Sequence, residues 1–303
     1  MCFSHVLSDG LTGSHSRSLP SGTQAPGKKA WPTVNLNLLL LDKKNRAVIS
    51  NITPPFQVLE DGVPKTVHIV SGPNTPVSLC IEIRVSGGVQ RYWNEVREAA
   101  ASLVKNLPPQ SEVMIVFSAD KTYLALPFTP ASAALQKFPN LGYLPPNGKN
   151  SLFDSIAITE PYFVQFAHYQ RRALVLMTDR IPPLSFDNTI RSMLIPGAPF
   201  VYALRVRKYL APAFSPEDQL SMNRFIAFVK PSGGLSLALS PGQTDILEKT
   251  AEISRDIASQ YAMNYESSLK IADKKFHKLA IKLPQEASQI RIQSVPGFYI
   301  LTP

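Results

Sequence analysis

The chain has 303 residues, 44% of them hydrophobic, and a formal net charge of +9, a length that supports one substantial core, or one core with a small satellite. Two cysteines, Cys2 in a polar stretch and Cys80 in an apolar one, do not make a disulfide framework. No apolar run is long enough to span a bilayer, and the basic residues form only short clusters such as Lys28-Lys29, Arg171-Arg172 and Lys274-Lys275 rather than a nucleic-acid-binding arm.

Residues 1–33 are rich in Ser, Gly and Pro and read as a disordered tail. They contain no basic stretch leading into an apolar one, so no signal peptide is expected there. Ordered sequence begins at "VNLNLLLL". Val34, Leu36, Leu38 and Leu40 alternate with Asn35 and Asn37, the pattern of a half-buried strand. "FQVLEDGVPKTVHIV" follows with a hairpin turning at Asp61-Gly62. These segments predict a small β-module over residues 34–70, followed by a linker over 71–76.

From Val77 strands alternate with helices. "PVSLCIEI", "EVMIVFSAD", "KTYLALPFT", "RALVLMTD", "FVYALRV" and "LSLAL" read as strands. Val89, Trp93, Val96, Ala100, Leu103 and Leu107 keep helical spacing, "SLFDSIAITEPYFVQFAHYQ" is helical with a kink or restart at Pro161, and Ser215-Pro216 with Asp218 forms a capping box. Alternating strands and helices call for crossover connections, hence an α/β fold with a mostly parallel sheet covered on both faces, over residues 77–260. Residues 261–303 read as a C-terminal β extension. In it His277, Leu279, Ile281 and Leu283 face one side, and Lys278 and Lys282 the other, as on an edge strand.

The ordered set "LLLLDKKNRAVISNITPPFQVLEDGVPKTV", "IEIRVSGGVQ", "NSLFDSI", "ALVLMTD", "SQYAMNY", "FHKLAIKL" and "VPGFYI" resembles the von Willebrand factor type A related proteins common in Acidobacteria. The resemblance spans Val34 to Pro303. It implies a Rossmann-like domain whose strand C-termini carry a metal ion-dependent adhesion site, Asp-x-Ser-x-Ser on one loop, a Thr on a second and an Asp on a third, holding Mg²⁺ through hard oxygen ligands. It further implies an extracytoplasmic location.

Carried over residue by residue, the site is degraded. Arg84 stands in place of the first Asp, Ser86 matches the first Ser, Gly88 replaces the second, and Asn150 falls where the Thr belongs. Asp179 matches the last Asp and is followed by Arg180 where Gly is usual. A guanidinium keeps its proton and ligates no metal. Ser86 and Asp179 are thus vestigial metal residues, and no cofactor is expected. Arg84 and Asp179 are expected at one sheet edge, as a bidentate pair with Asn150 and Ser86 filling the remaining hydrogen bonds. The plainer readings stay open: Asp179 as a helix cap or turn acceptor, Asp154 as a local hydrogen-bonding group, Ser86-Gly87-Gly88 as a turn.

The function these residues imply is non-enzymatic binding of a protein or peptide at the edge formed by Arg84, Ser86, Asn150, Asp179 and Arg180, with no membrane span. One alternative is a serine hydrolase, with Ser86 between strand and helix and His168 as the histidine best placed to approach it. The second is binding of nucleic acid or an anionic surface through charge alone.

Overall fold

The computed structural model describes residues 33–48, 55–119, 121–142, 152–179, 194–206, 216–239, 243–269, 275–283 and 289–299. The tail 1–32, Asn150, Arg180 and the proposed cap Ser215 lie outside them. In chain order the elements are β1 Thr33–Leu41, β2 Gln57–Glu60, β3 Val63–Lys65, β4 Val67–Ser71, β5 Ser78–Arg84, α1 Gly87–Arg91, α2 Trp93–Lys105, β6 Glu112–Ser118, β7 Thr122–Pro130, α3 Ala131–Lys137 and α4 Leu152–Phe166. There follow β8 Arg172–Thr178, β9 Phe200–Val206, α5 Pro216–Val229, β10 Ser236–Leu239, α6 Gln243–Ser259, β11 Tyr261–Glu266, β12 Phe276–Lys282, β13 Arg291–Ser294 and β14 Gly297–Tyr299.

The central sheet has the order β10-β9-β8-β5-β6-β7. Its strands are parallel except for β7, which returns antiparallel to β6 at one edge. The apolar strands are explained by cover on both faces. Leu79, Ile81 and Ile83 of β5 meet Val96, Ala100 and Leu103 of α2 and Ile246, Ile253 and Ile257 of α6. Cys80 lies on the opposite face with Leu152, Ile156 and Phe163 of α4 and Phe225 and Val229 of α5. Ser102 and Thr250 share a buried hydroxyl hydrogen bond of 2.8 Å that pins α2 to α6. The α/β fold with helices on both faces is thus as expected. The kink expected at Pro161 does not divide the helix: α4 runs unbroken from Leu152 to Phe166.

The N- and C-terminal segments, set apart in the sequence reading, are interleaved. One antiparallel sheet has the order β13-β1-β11-β4, the other β14-β12-β2-β3. Both sheets therefore mix strands from residues 33–71 with strands from residues 261–299. Val34, Leu36, Leu38 and Leu40 pack with Tyr261, Met263, Tyr265, Leu279 and Phe298. β1 is buried on both faces rather than half-buried, because Leu39 and Leu41 belong to the α/β core and Asn37 is also covered. The hairpin turns where expected, with Asp61 and Gly62 at positive φ. Its second arm then splits: β3 pairs with β2, while β4 joins β11 in the other sheet. β12 is not an edge strand, since β14 and β2 flank it; Lys278 and Lys282 lie on its exposed face and His277 and Leu279 are buried.

Candidate functional site: the C-terminal edge of the central sheet

Parallel strands deliver the residues that follow them to one edge, where open α/β sheets bind ligands. β5 ends at Arg84 and neighbouring β8 at Thr178, so Arg84 and Asp179 emerge side by side. Ser86 sits two residues beyond β5 as the N-cap of α1, its oxygen accepting from the Val89 amide at 3.1 Å.

The three side chains converge on one atom. Ser86 Oγ donates to Asp179 Oδ1 at 2.7 Å. Arg84 Nη1 lies 3.7 Å from the same oxygen. The sequence led us to expect a bidentate fork; the nearest approach of the two charged groups is instead 3.7 Å, longer than a hydrogen bond. Side-chain exposures of 13% for Arg84 and 20% for Asp179 set the pair between a buried and a surface ion pair. Its worth is therefore nearer the surface figure of about 1 kcal/mol than the 3–5 kcal/mol of a buried pair broken from one side. Asn150 and Arg180, the other two residues assigned to this edge, lie outside the described residues.

Ser86 Oγ and Asp179 Oδ1 are the hard oxygens of the described part of this edge, and a fixed positive charge, the Arg84 guanidinium, stands beside them. Among the described residues no group of three His, Cys, Asp or Glu side chains is placed to hold a metal.

Gly87 adds open space at this edge. A Cβ built there meets no atom within 4 Å, and its φ is not in the left-handed region. Neither packing nor backbone conformation demands glycine at that position.

The structure separates the two residues of the hydrolase alternative. His168 lies at the N-terminal edge of the sheet, where its amide donates to Glu112 Oε1 at 2.8 Å and its Nδ1 is 2.7 Å from Glu112 Oε2. Glu112 opens β6, and Ser78, which opens β5, donates to the same carboxyl at 2.5 Å. Seven strand residues, roughly 20 Å, divide that edge from Ser86.

Beneath Arg84 lies a group the sequence reading did not single out. Glu82 is fully buried on the α4 face of β5. Burial pushes its carboxyl up to about 8, against hydroxyls of Ser155 and Thr159 that favour the charged form. Those hydroxyls lie against the carboxyl without reaching full hydrogen-bonding geometry. Thr122 donates to Ser155 Oγ at 3.2 Å. The signal was present in "CIEIR": a lone acid inside a strand otherwise apolar enough to be covered on both faces.

The chain is similar to von Willebrand factor type A domains of known structure. A von Willebrand factor type A protein from Catenulispora acidiphila is 10% identical with a TM-score of 0.44, over 89% of this chain and 74% of that one. The conserved hypothetical protein BatB from Bacteroides thetaiotaomicron is 14% identical with a TM-score of 0.43, over 60% of this chain and all of that one. The VWA domain of SpRpn10 is 13% identical with a TM-score of 0.41, over 57% and 93%. No protein-family model matches the sequence, and no curated protein is similar to it. The architecture given above rests on strand order and packing, not on these partial overlaps. Among the described residues, no helix is long and apolar enough to cross a membrane.

Proposed function

We propose that this chain is a non-enzymatic binding module of the von Willebrand factor A type, which holds a protein or peptide partner at the C-terminal edge of its central sheet without a metal ion. The observation that carries the reading is the shared oxygen of Asp179. In a working adhesion site of this type, a divalent cation balances the converging carboxylates. Here one carboxylate is replaced by Arg84, and the remaining one takes its positive charge from within the chain. The edge keeps approximate charge balance with no ion bound. Gly87 leaves room for close approach of a partner's backbone. Fold likeness alone would not support this, since one fold hosts many functions; the argument is the chemistry of Arg84, Ser86 and Asp179. The basic charge of the chain favours an acidic partner.

The test is calorimetric. Mg²⁺ and Mn²⁺ are titrated into the wild type and into the triple variant Arg84→Asp/Gly88→Ser/Asn150→Thr, which restores the adhesion-site pattern. The reading expects no binding heat in the wild type and weak binding in the folded triple variant. Tight metal binding by the wild type overturns it.

A further inference from the structure

We propose that the open face of the sheet β14-β12-β2-β3 is a second binding surface. It takes single-stranded nucleic acid, stacking a base on Phe276 and Tyr299 and placing the adjoining phosphates on Lys278 and Lys282. The proposal does not rest on the reading of Arg84 and Asp179, which concerns the central sheet.

One face of this sheet is core, where Val58, Leu279 and Phe298 pack with β1 and β11. Phe276, Lys278 and Lys282 of β12 lie on the other face, at the period of two by which a strand lines one side. Tyr299 of β14 stands opposite Phe276 in the register, and the two ring centroids are 5.2 Å apart. The rings come from different strands, so no aromatic-and-basic motif shows in the sequence itself.

Phe276 is 41% exposed, and the glycine beside it shows how. Gly297 lies opposite Lys278 on the same face, and a Cβ built at Gly297 runs into the Phe276 ring. The ring therefore occupies the place of a side chain at 297. It covers bare backbone with one side and turns the other to solvent. An aromatic face presented in this way is a platform for a nucleobase, whatever the base, because each base has a π face.

Charge completes the pattern. Along β12, Lys278 is two residues and Lys282 six residues from Phe276, about 6.6 and 20 Å. A stacked strand spaces its phosphates about 3.4 Å apart, so this stretch accommodates about six nucleotides. Both lysines are exposed. Asp61, the carboxylate at the hairpin turn beside Lys278, accepts from the Lys278 amide at 2.8 Å and lies 2.8 Å from His277 Nδ1. The net charge of +9 draws a polyanion towards the chain.

The combination of rings with lysines decides the occupant. An acidic peptide would engage the lysines and leave the rings idle. A duplex keeps its bases stacked on one another and has no free face to lay on Phe276. A bilayer surface is held by clusters of about four to eight cations, more than this face carries.

The test is fluorescence anisotropy with a labelled oligothymidylate of about ten nucleotides, titrated with the full chain at several salt concentrations. The wild type is expected to bind, with log K falling linearly as log[salt] rises. Phe276→Leu keeps an apolar cover over Gly297 and removes the ring. It is expected to weaken binding at least about fivefold, the loss of one stacked base, with the salt slope unchanged. Tyr299→Leu takes its place if that variant does not fold. Lys278→Gln/Lys282→Gln is expected to flatten the salt slope by about 1.4, roughly 0.7 for each lost phosphate contact. Circular dichroism confirms that each variant is folded. Four results overturn the proposal: no binding by the wild type at low salt, undiminished affinity without the ring, a salt slope unmoved by the lysine pair, or a duplex bound as tightly as the single strand. Displacement of the oligonucleotide by polyglutamate or by phosphatidylserine vesicles at equal charge overturns it as well, since charge alone would then suffice. The metal titration does not bear on any of these outcomes, so the two readings fail separately.

Discussion

Ser86 Oγ joins two elements that come from distant parts of the chain: it accepts the Val89 amide at 3.1 Å and donates to Asp179 at 2.7 Å. One hydroxyl thus caps α1 and fixes the carboxylate that follows β8. Ser86→Ala is expected to cost about 2–4 kcal/mol, the sum of a lost cap and a lost hydrogen bond to a charged acceptor. Ser86→Thr should retain most of it. Urea denaturation of the three proteins checks the order.

Glu82 sets the pH dependence of stability. Its carboxyl ionises at about 8 when folded against 4.5 as the reference. Between those values the folded chain keeps a proton that the unfolded chain has released, so stability falls as pH rises from about 4.5 to about 8 and is flat above. Asp256 acts in the same direction between 3.8 and about 7. Glu82→Gln mimics the neutral form. It is expected to match the wild type near pH 4 and to exceed it at pH 9 by on the order of 3–5 kcal/mol. The residual slope belongs to Asp256. Denaturation midpoints from pH 4 to 9 measure both.

The β unit holds a buried ion pair of its own. Lys65 Nζ lies 3.2 Å from Glu60 Oε1, and both side chains are covered. Tyr265 and Ser267 donate to the same carboxylate at 2.7 and 3.0 Å. Lys65→Met leaves that charge with neutral donors only and is expected to cost about 3 kcal/mol. Glu60→Gln/Lys65→Met should recover most of the loss. A double-mutant cycle reads the coupling, and two costs that simply add would refute it.

Two glycines make opposite predictions. A Cβ at Gly234 falls 1.8 Å from the carbonyl oxygen of Val201, a backbone atom with no freedom to retreat. Gly234→Ala is expected to cost about 3 kcal/mol or more. A Cβ at Gly87 meets nothing within 4 Å and the residue is helical. Gly87→Ala is expected to stabilise by about 0.5–1 kcal/mol. Thermal unfolding distinguishes the pair.

The α/β core was legible because each of its strands declares its own burial: "LCIEI" and "ALVLM" are apolar on both faces, and the helices between them carry one apolar stripe. The meeting of Arg84, Ser86 and Asp179 was legible for the same reason, since parallel strands fix which ends share an edge. The 3.7 Å separation of Arg84 from Asp179 was not, because strand order fixes which ends share an edge but not the side-chain conformations there. The β unit was misread where local pattern has no voice. Asn35 and Asn37 look like a solvent face in "VNLNLL", but α6 and the central sheet lie over that side of β1 and bury Asn37. Lys278 and Lys282 mark an exposed face, and an edge strand shows the same alternation as an inner one with one side wet.

The pairing of β1 with β11 reaches from Thr33 to Glu266, 233 residues apart. During synthesis β1 leaves the ribosome with one face wholly apolar and both of its partners, β11 and β13, unmade. Everything from β5 to α6 is translated in the interval, and that stretch contains a complete parallel sheet with its covering helices. The central domain can therefore close first, while the first strand waits exposed for β11 and β13. For that interval, the segment at greatest risk of aggregation is "LNLLLL", and a chaperone that shields it until residue 266 has emerged would raise the yield of folded chain.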